Sequence, residues 1–118
     1  MNNKTLIYDS SRGFSRMIKR YYSCNMNIDV CSNRKNFLYN KYTDYKLCFF
    51  IINDLDDFLN LKKIYFEIEH VIIATSRKIF EEKLINMNLE DVLVLDLQEN
   101  KRDLIKSINF KLQENNLI

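Results

Sequence analysis

The stretch "KLCFFII" (46–52) opens on one charge and then runs through apolar side chains without a break. A strand with one face in water alternates apolar and polar residues. A run without alternation needs cover on both faces, as in a parallel sheet held between two layers of helix. "VIIAT" (71–75) has the same two-faced character. No apolar run approaches the ~20 residues a membrane span needs. A buried parallel strand is the reading that fits.

The rest of the chain supplies the partners that such a strand requires. "TLIYD" (5–9), the weaker "MNIDVC" (26–31) and "DVLVLDL" (91–97) read as further strands. Helix-length segments separate them. In "FSRMIKRYY" (14–22), Phe14, Met17, Ile18, Tyr21 and Tyr22 share one face, with Arg16, Lys19 and Arg20 opposite. "RKNFLYNKY" (34–42) has rough helical spacing, and 55–70 mixes a helix with a less regular tail. "RKIFEEKLINM" (77–87) reads as a helix capped by Thr75 or Ser76. In 101–112, Leu104, Ile105, Ile108 and Leu112 form one side. Five βα units imply parallel strands joined by right-handed crossovers. The expected fold is α/β: a three-layer αβα sandwich around a five-stranded parallel sheet, a single domain over 1–118.

Composition narrows the function. A net charge of +2 in 118 residues lacks the strongly basic footprint of nucleic-acid binders. The aromatics of "RMIKRYY" fall on the apolar face, so the basic residues read as a solvated face and no nucleic-acid partner is expected. The N-terminal "MNNKTLIYD" lacks a signal-peptide pattern, and a cytoplasmic protein with no membrane partner is expected. Cys24, Cys31 and Cys48 are odd in number and dispersed, unlike a disulfide framework or a zinc site, and Cys48 reads as a buried small hydrophobe. His70 is the only histidine. The absence of Pro and the single glycine, Gly13, carry no functional reading.

In a doubly wound sheet of order 2-1-3-4-5, sites form beyond the carboxyl ends of the strands, where strand order reverses. That point lies between the first and third strands. Asp9 ends the first, Asp54 ends the third, and Thr75 ends the fourth. The topology therefore brings two carboxylates and a hydroxyl to one mouth.

With this convergence the chain resembles, along essentially its whole length, the receiver domain of two-component response regulators, the CheY-like family of flavodoxin-like topology. "LIYDSS" is similar to the family's acidic first-strand motif, "FFIINDLDD" to its phosphoacceptor strand, and "VIIATS" to its fourth strand. The resemblance implies that Asp54 is the phosphoacceptor, Asp9 a Mg²⁺ ligand and Thr75 the phosphoryl contact. A carboxylate attacks phosphorus, oxygen ligands hold the cation, and a donor receives the phosphoryl oxygens.

Two departures stand against that chemistry. Where the family has a second acid after the first strand, this chain has Ser10, and near the family lysine of the fifth strand it has Asp96. Asp9, Ser10 and Asp96 would form an acidic pocket. Like charges a few Å apart cost about 1 to 4 kcal/mol at dielectrics between water and a protein surface. The resemblance is therefore to a degenerate receiver, a pseudo-receiver with no catalytic activity of its own. It would be a stand-alone signalling module acting through protein–protein contacts, with an impaired phosphoacceptor site. The alternative is a functional response regulator, its Asp54 taking phosphate from a histidine kinase with Mg²⁺. No cofactor is required, and Asp9 with Asp54 would make a weak Mg²⁺ site at best. A small nucleotide- or flavin-binding protein of this topology fits less well, because "DSSRGFS" has no phosphate-cradling glycine pattern.

Simpler readings apply to the same residues. Asp54 suits a helix N-cap, and Asp56 and Asp57 suit the positive end of that helix. Phe110 lies off the Leu104–Ile108 face and is expected to be exposed. Receiver domains dimerise or dock partners through their fourth helix, fifth strand and fifth helix. The resemblance thus implies a contact surface including Lys106 and Phe110, used by a signalling protein, a histidine kinase or a second copy.

Overall fold

The structure, a computed structural model, describes residues 4–11, 13–32, 44–65, 67–89 and 92–118. The helix expected over 34–42 lies outside the described residues. The elements are β1 (Lys4–Tyr8), α1 (Gly13–Tyr22), β2 (Asn27–Cys31), β3 (Leu47–Ile52), α2 (Leu55–Ile64), β4 (His70–Thr75), α3 (Lys78–Asn86), β5 (Leu93–Asp96) and α4 (Lys101–Glu114). The strands form one sheet in the order β2-β1-β3-β4-β5, and each neighbouring pair is parallel. This is the expected flavodoxin-like topology.

Strand alternation divides the core into two layers. Leu6, Tyr8, Cys48, Phe50, Ile52 and Ile73 point to one face and pack with Phe58 and Leu61 of α2 and Phe80 and Leu84 of α3. Ile7, Phe49, Ile51, Ile72 and Ala74 point to the other and pack with Phe14 and Ile18 of α1 and Leu104 and Ile108 of α4. All six residues of β3 are buried, which is why the central strand shows no alternation. Among the described residues, no helix is long and apolar enough to cross a membrane.

With one glycine available, asparagine supplies the left-handed residues. Asn88 (φ 51°) and Asn116 (φ 57°) follow α3 and α4, the position where helices favour Gly or Asn. After α4 the Asn116 amide donates to the Gln113 carbonyl (3.1 Å) and the Leu117 amide to the Leu112 carbonyl (2.8 Å). Leu117 is buried beside Leu112 in the α1/α4 layer, so the chain end closes the core it follows. Gly13 has no positive φ.

Two local expectations differ from the structure. Tyr21 is 47% exposed rather than on the buried face, and Lys101 Nζ lies 5.3 Å from its ring centroid. Ile18 and Tyr22 occupy the centre of the α1 contact, and a residue one position earlier turns about 100° away from Tyr22. The α3 cap is also different: its N-cap is Arg77, with no side-chain cap bond. Thr75 and Ser76 precede the helix by too much to cap it.

The cysteines are all free thiols, Cys24 exposed and Cys31 and Cys48 buried. Burial, and secondarily Cys31, pushes the Cys48 thiol far above its ordinary range. Thiolate is the reactive form, so Cys48 is inert packing.

Candidate functional site

The β1–β3 mouth is built from loops that turn immediately into helices. Asp9 follows β1 and is fully buried. Its Oδ1 accepts from the Ser11 amide (3.1 Å) and Ser11 hydroxyl (2.7 Å). Its Oδ2 accepts from the Ser15 amide in the first turn of α1 (3.0 Å). A helix start leaves amides unpaired and carries positive partial charge, which suits a carboxylate. Asp9 therefore anchors the start of α1 to the end of β1.

Across the switch point the contact is neutral. Asn53, the residue after β3, donates from its side-chain amide to Ser10 Oγ (3.1 Å). Asp54 turns to its own helix instead. It is the N-cap of α2, in extended backbone (φ −154°, ψ −177°), and its Oδ1 accepts from the Asp57 amide (3.1 Å).

Asp57 is the residue whose role no sequence pattern reveals. It reads as an acid suited to the positive end of α2, yet it is fully buried. Its Oδ1 accepts from the Tyr8 hydroxyl (2.6 Å) and its Oδ2 from the Asn53 amide (2.9 Å). The Tyr8 oxygen in turn accepts from the Asn60 side chain (3.4 Å). The partner lies 49 positions away in sequence, beyond the reach of any local pattern.

Thr75 and Asp96 sit side by side in the β4–β5 register. The Thr75 hydroxyl is buried, donating to the Ile52 carbonyl (2.9 Å) and accepting from the Arg77 amide (3.2 Å). Asp96 Oδ1 accepts from the Gln98 amide (2.8 Å) and shapes the turn after β5. Lys106 and Phe110 lie elsewhere, on α4, where a groove of about 540 Å³ is lined by them with Val92, Leu93, Ser107 and Lys111.

No family model matches the sequence, and no curated protein does. Solved structures do match. A CheY-like response regulator receiver domain protein from Methanospirillum hungatei JF-1 is similar at 20% identity and TM-score 0.69, over 97% of this chain and 96% of that one. The response regulator protein TrrA from Thermotoga maritima, solved with Mg²⁺–BeF, is similar at 16% identity and TM-score 0.68, over 93% and 98%. An adenylate cyclase structure from Rhodopirellula baltica is similar at 12% identity and TM-score 0.67, over 99% and 92%. The chain has the receiver fold.

In this receiver fold, the side chains at the mouth suit Mg²⁺ poorly as they stand. Mg²⁺ takes a near-octahedral shell of oxygens at short range, mostly carboxylate and water. Here both Asp9 oxygens already accept hydrogen bonds from Ser11 and Ser15, and the neighbouring pair is a hydroxyl and an amide. Among the described residues, no group of three or more His, Cys, Asp or Glu side chains could hold a metal ion.

Proposed function

We propose that the protein is a cytoplasmic receiver-type signalling module that acts through protein contacts, without turnover of its own. In this reading phosphoryl acceptance at Asp54 is impaired. The observation that carries it is the use made of the acids: Asp54 caps α2, and Asp9 holds the loop at Ser11 through Oδ1 and the first turn of α1 through Oδ2. A carboxylate that accepts from a helix amide is held toward that helix and is a weaker nucleophile. Asp96 beside Thr75 supports the same reading, because an anion there opposes a phosphoryl group. The three free thiols accord with a reducing compartment.

The test is incubation with Mg²⁺ and a small phosphodonor, and separately with beryllofluoride. The expected result is no phosphoryl mass increase and no shift of the amide spectrum around 9, 54 and 75. A clear signal that Asp54→Asn abolishes would replace this reading with the alternative, a regulator phosphorylated by a histidine kinase.

The contact surface in this proposal is the α4 groove at the β5 edge. Phe110 on its rim is 69% exposed, a large apolar side chain with both signs of charge nearby in Lys106, Lys111 and Glu114. Mixed charge around an apolar centre suits a self-complementary contact between two copies. Phe110→Ser is expected to leave the fold intact and to lower self-association, read by analytical ultracentrifugation, or else the binding of a signalling partner. If oligomeric state and every interaction are unchanged by Phe110→Ser, this surface is not the one used.

A further inference from the structure

A second groove lies at the opposite edge of the sheet, between α1 and β2. It has a volume of about 550 Å³ and is lined by Arg16, Lys19 and Arg20 of α1, by Ser23 and Met26 of the following turn, and by Asn27 and Ile28 of β2. The amphipathic pattern of α1 explains the basic side. Phe14, Ile18 and Tyr22 are buried, so the basic residues between them must emerge along the helix flank. All of them are exposed. Among the described residues, neither ion pair involves Arg16, Lys19 or Arg20. Asn27 and Ile28 belong to β2, an edge strand of the sheet, and Ser23 to the turn after α1. The floor is apolar, since Met26 is buried and Ile28 is half-buried against the α1 layer.

An ordinary solvated helix face spreads its charges outward over no cavity. Here three cations of one sign border an open groove with an apolar base, so charge and apolar contact can act on one ligand. We infer that this groove docks a short acidic segment of a protein partner, its carboxylates on Arg16, Lys19 and Arg20 and one apolar side chain over Met26 and Ile28. Arg16 to Arg20 spans about 6 Å along the helix axis at 1.5 Å per residue, a reach that matches two or three carboxylates. Nucleic acid is disfavoured by the same dimension, because its affinity comes from many phosphate contacts spread over a long basic track. The net charge of +2 adds no long-range field to help it. The inference does not depend on the state of Asp54, since the groove lies along α1 and the β2 edge.

The probe is a fluorescein-labelled peptide of alternating Glu and Leu, titrated by anisotropy at low salt against its Gln–Leu counterpart. The Glu peptide is expected to bind and to weaken steadily as salt rises through the range where the screening length falls below about 10 Å. Amide shifts in the protein should concentrate between residues 16 and 28. The variant Arg16→Gln, Lys19→Gln, Arg20→Gln should lose about tenfold or more in affinity, three modest ion pairs acting together. Its thermal midpoint should move by no more than about 4 °C, because the three side chains are exposed and Gln keeps similar helix propensity. Lys62→Gln with Lys63→Gln, exposed on α2 and outside both grooves, should leave peptide affinity unchanged. The inference is overturned by no binding, by equal binding of the Gln–Leu peptide, or by affinity indifferent to the triple variant. Tighter binding of a single-stranded oligonucleotide or of anionic lipid vesicles than of the Glu peptide overturns it as well.

Discussion

Replacing Phe50 with alanine is expected to lower the unfolding free energy by about 3–5 kcal/mol, the range for emptying a buried aromatic site. Phe50 is fully buried in β3, which lies between β1 and β4. Its ring stacks on Tyr8 with centroids 4.4 Å apart and planes 13° from parallel. It belongs to the layer that also holds Phe58, Leu61 and Phe80. Neighbours from one strand and two helices cannot all collapse into the space at once, so much of the cavity should persist. A domain this size is stable by only about 5–15 kcal/mol, so the variant approaches its unfolding threshold. The comparison is Phe110→Ala, the same chemical change at a side chain 69% exposed, which should stay within about 0.5 kcal/mol. Urea unfolding of both variants at one temperature decides it. Costs within 1 kcal/mol of each other would mean that β3 is not the centre of the core.

The contrast between these two phenylalanines was readable in the sequence, because burial of whole elements follows from period. "KLCFFII" lacks alternation and β3 is buried throughout. Phe110 breaks the spacing of Leu104, Ile108 and Leu112, which are the buried residues of α4. Strand ends were less sharp. The expected strand 91–97 is observed as Leu93–Asp96 with mostly half-buried residues, since an edge strand has one neighbour and a weaker pattern. Side-chain hydrogen bonds were the least legible. Thr75 at a helix start looks like a cap, but its hydroxyl donates across the sheet to the Ile52 carbonyl and accepts from the Arg77 amide ahead of the helix. Pattern arguments see neighbours along the chain, and these bonds join neighbours across the sheet. For the same reason Asn53, rather than an acid, was not foreseen as the side chain reaching Ser10.

The second large effect is expected at Asp57. Truncation to alanine removes the acceptor for the Tyr8 hydroxyl and for the Asn53 amide, and leaves the first donor in a buried site and the second in a half-buried one. A hydrogen bond to a charged group contributes about 1.5–3 kcal/mol, and an orphaned buried donor costs about 1–3. Asp57→Ala should therefore destabilise by about 3–5 kcal/mol, comparable with the core aromatic. Tyr8→Phe removes only the hydroxyl and should cost about 1.5–3 kcal/mol. Because each residue satisfies the other, the two changes should not add. Tyr8→Phe with Asp57→Ala should cost about 1–3 kcal/mol less than the separate costs combined. Additivity to within about 0.5 kcal/mol would mean the pair is not formed in solution. The same substitution has a local consequence at the mouth. Asp57 Oδ2 holds the Asn53 amide, and the Asp57 amide is the donor that Asp54 caps. Loss of the carboxylate should speed hydrogen exchange at Asn53 well beyond what the fall in global stability accounts for. The acids after β3 would then divide their work by direction, Asp54 closing the helix start and Asp57 tying that helix to β1 through Tyr8. The stability experiment and the phosphorylation experiment therefore bear on one arrangement of side chains.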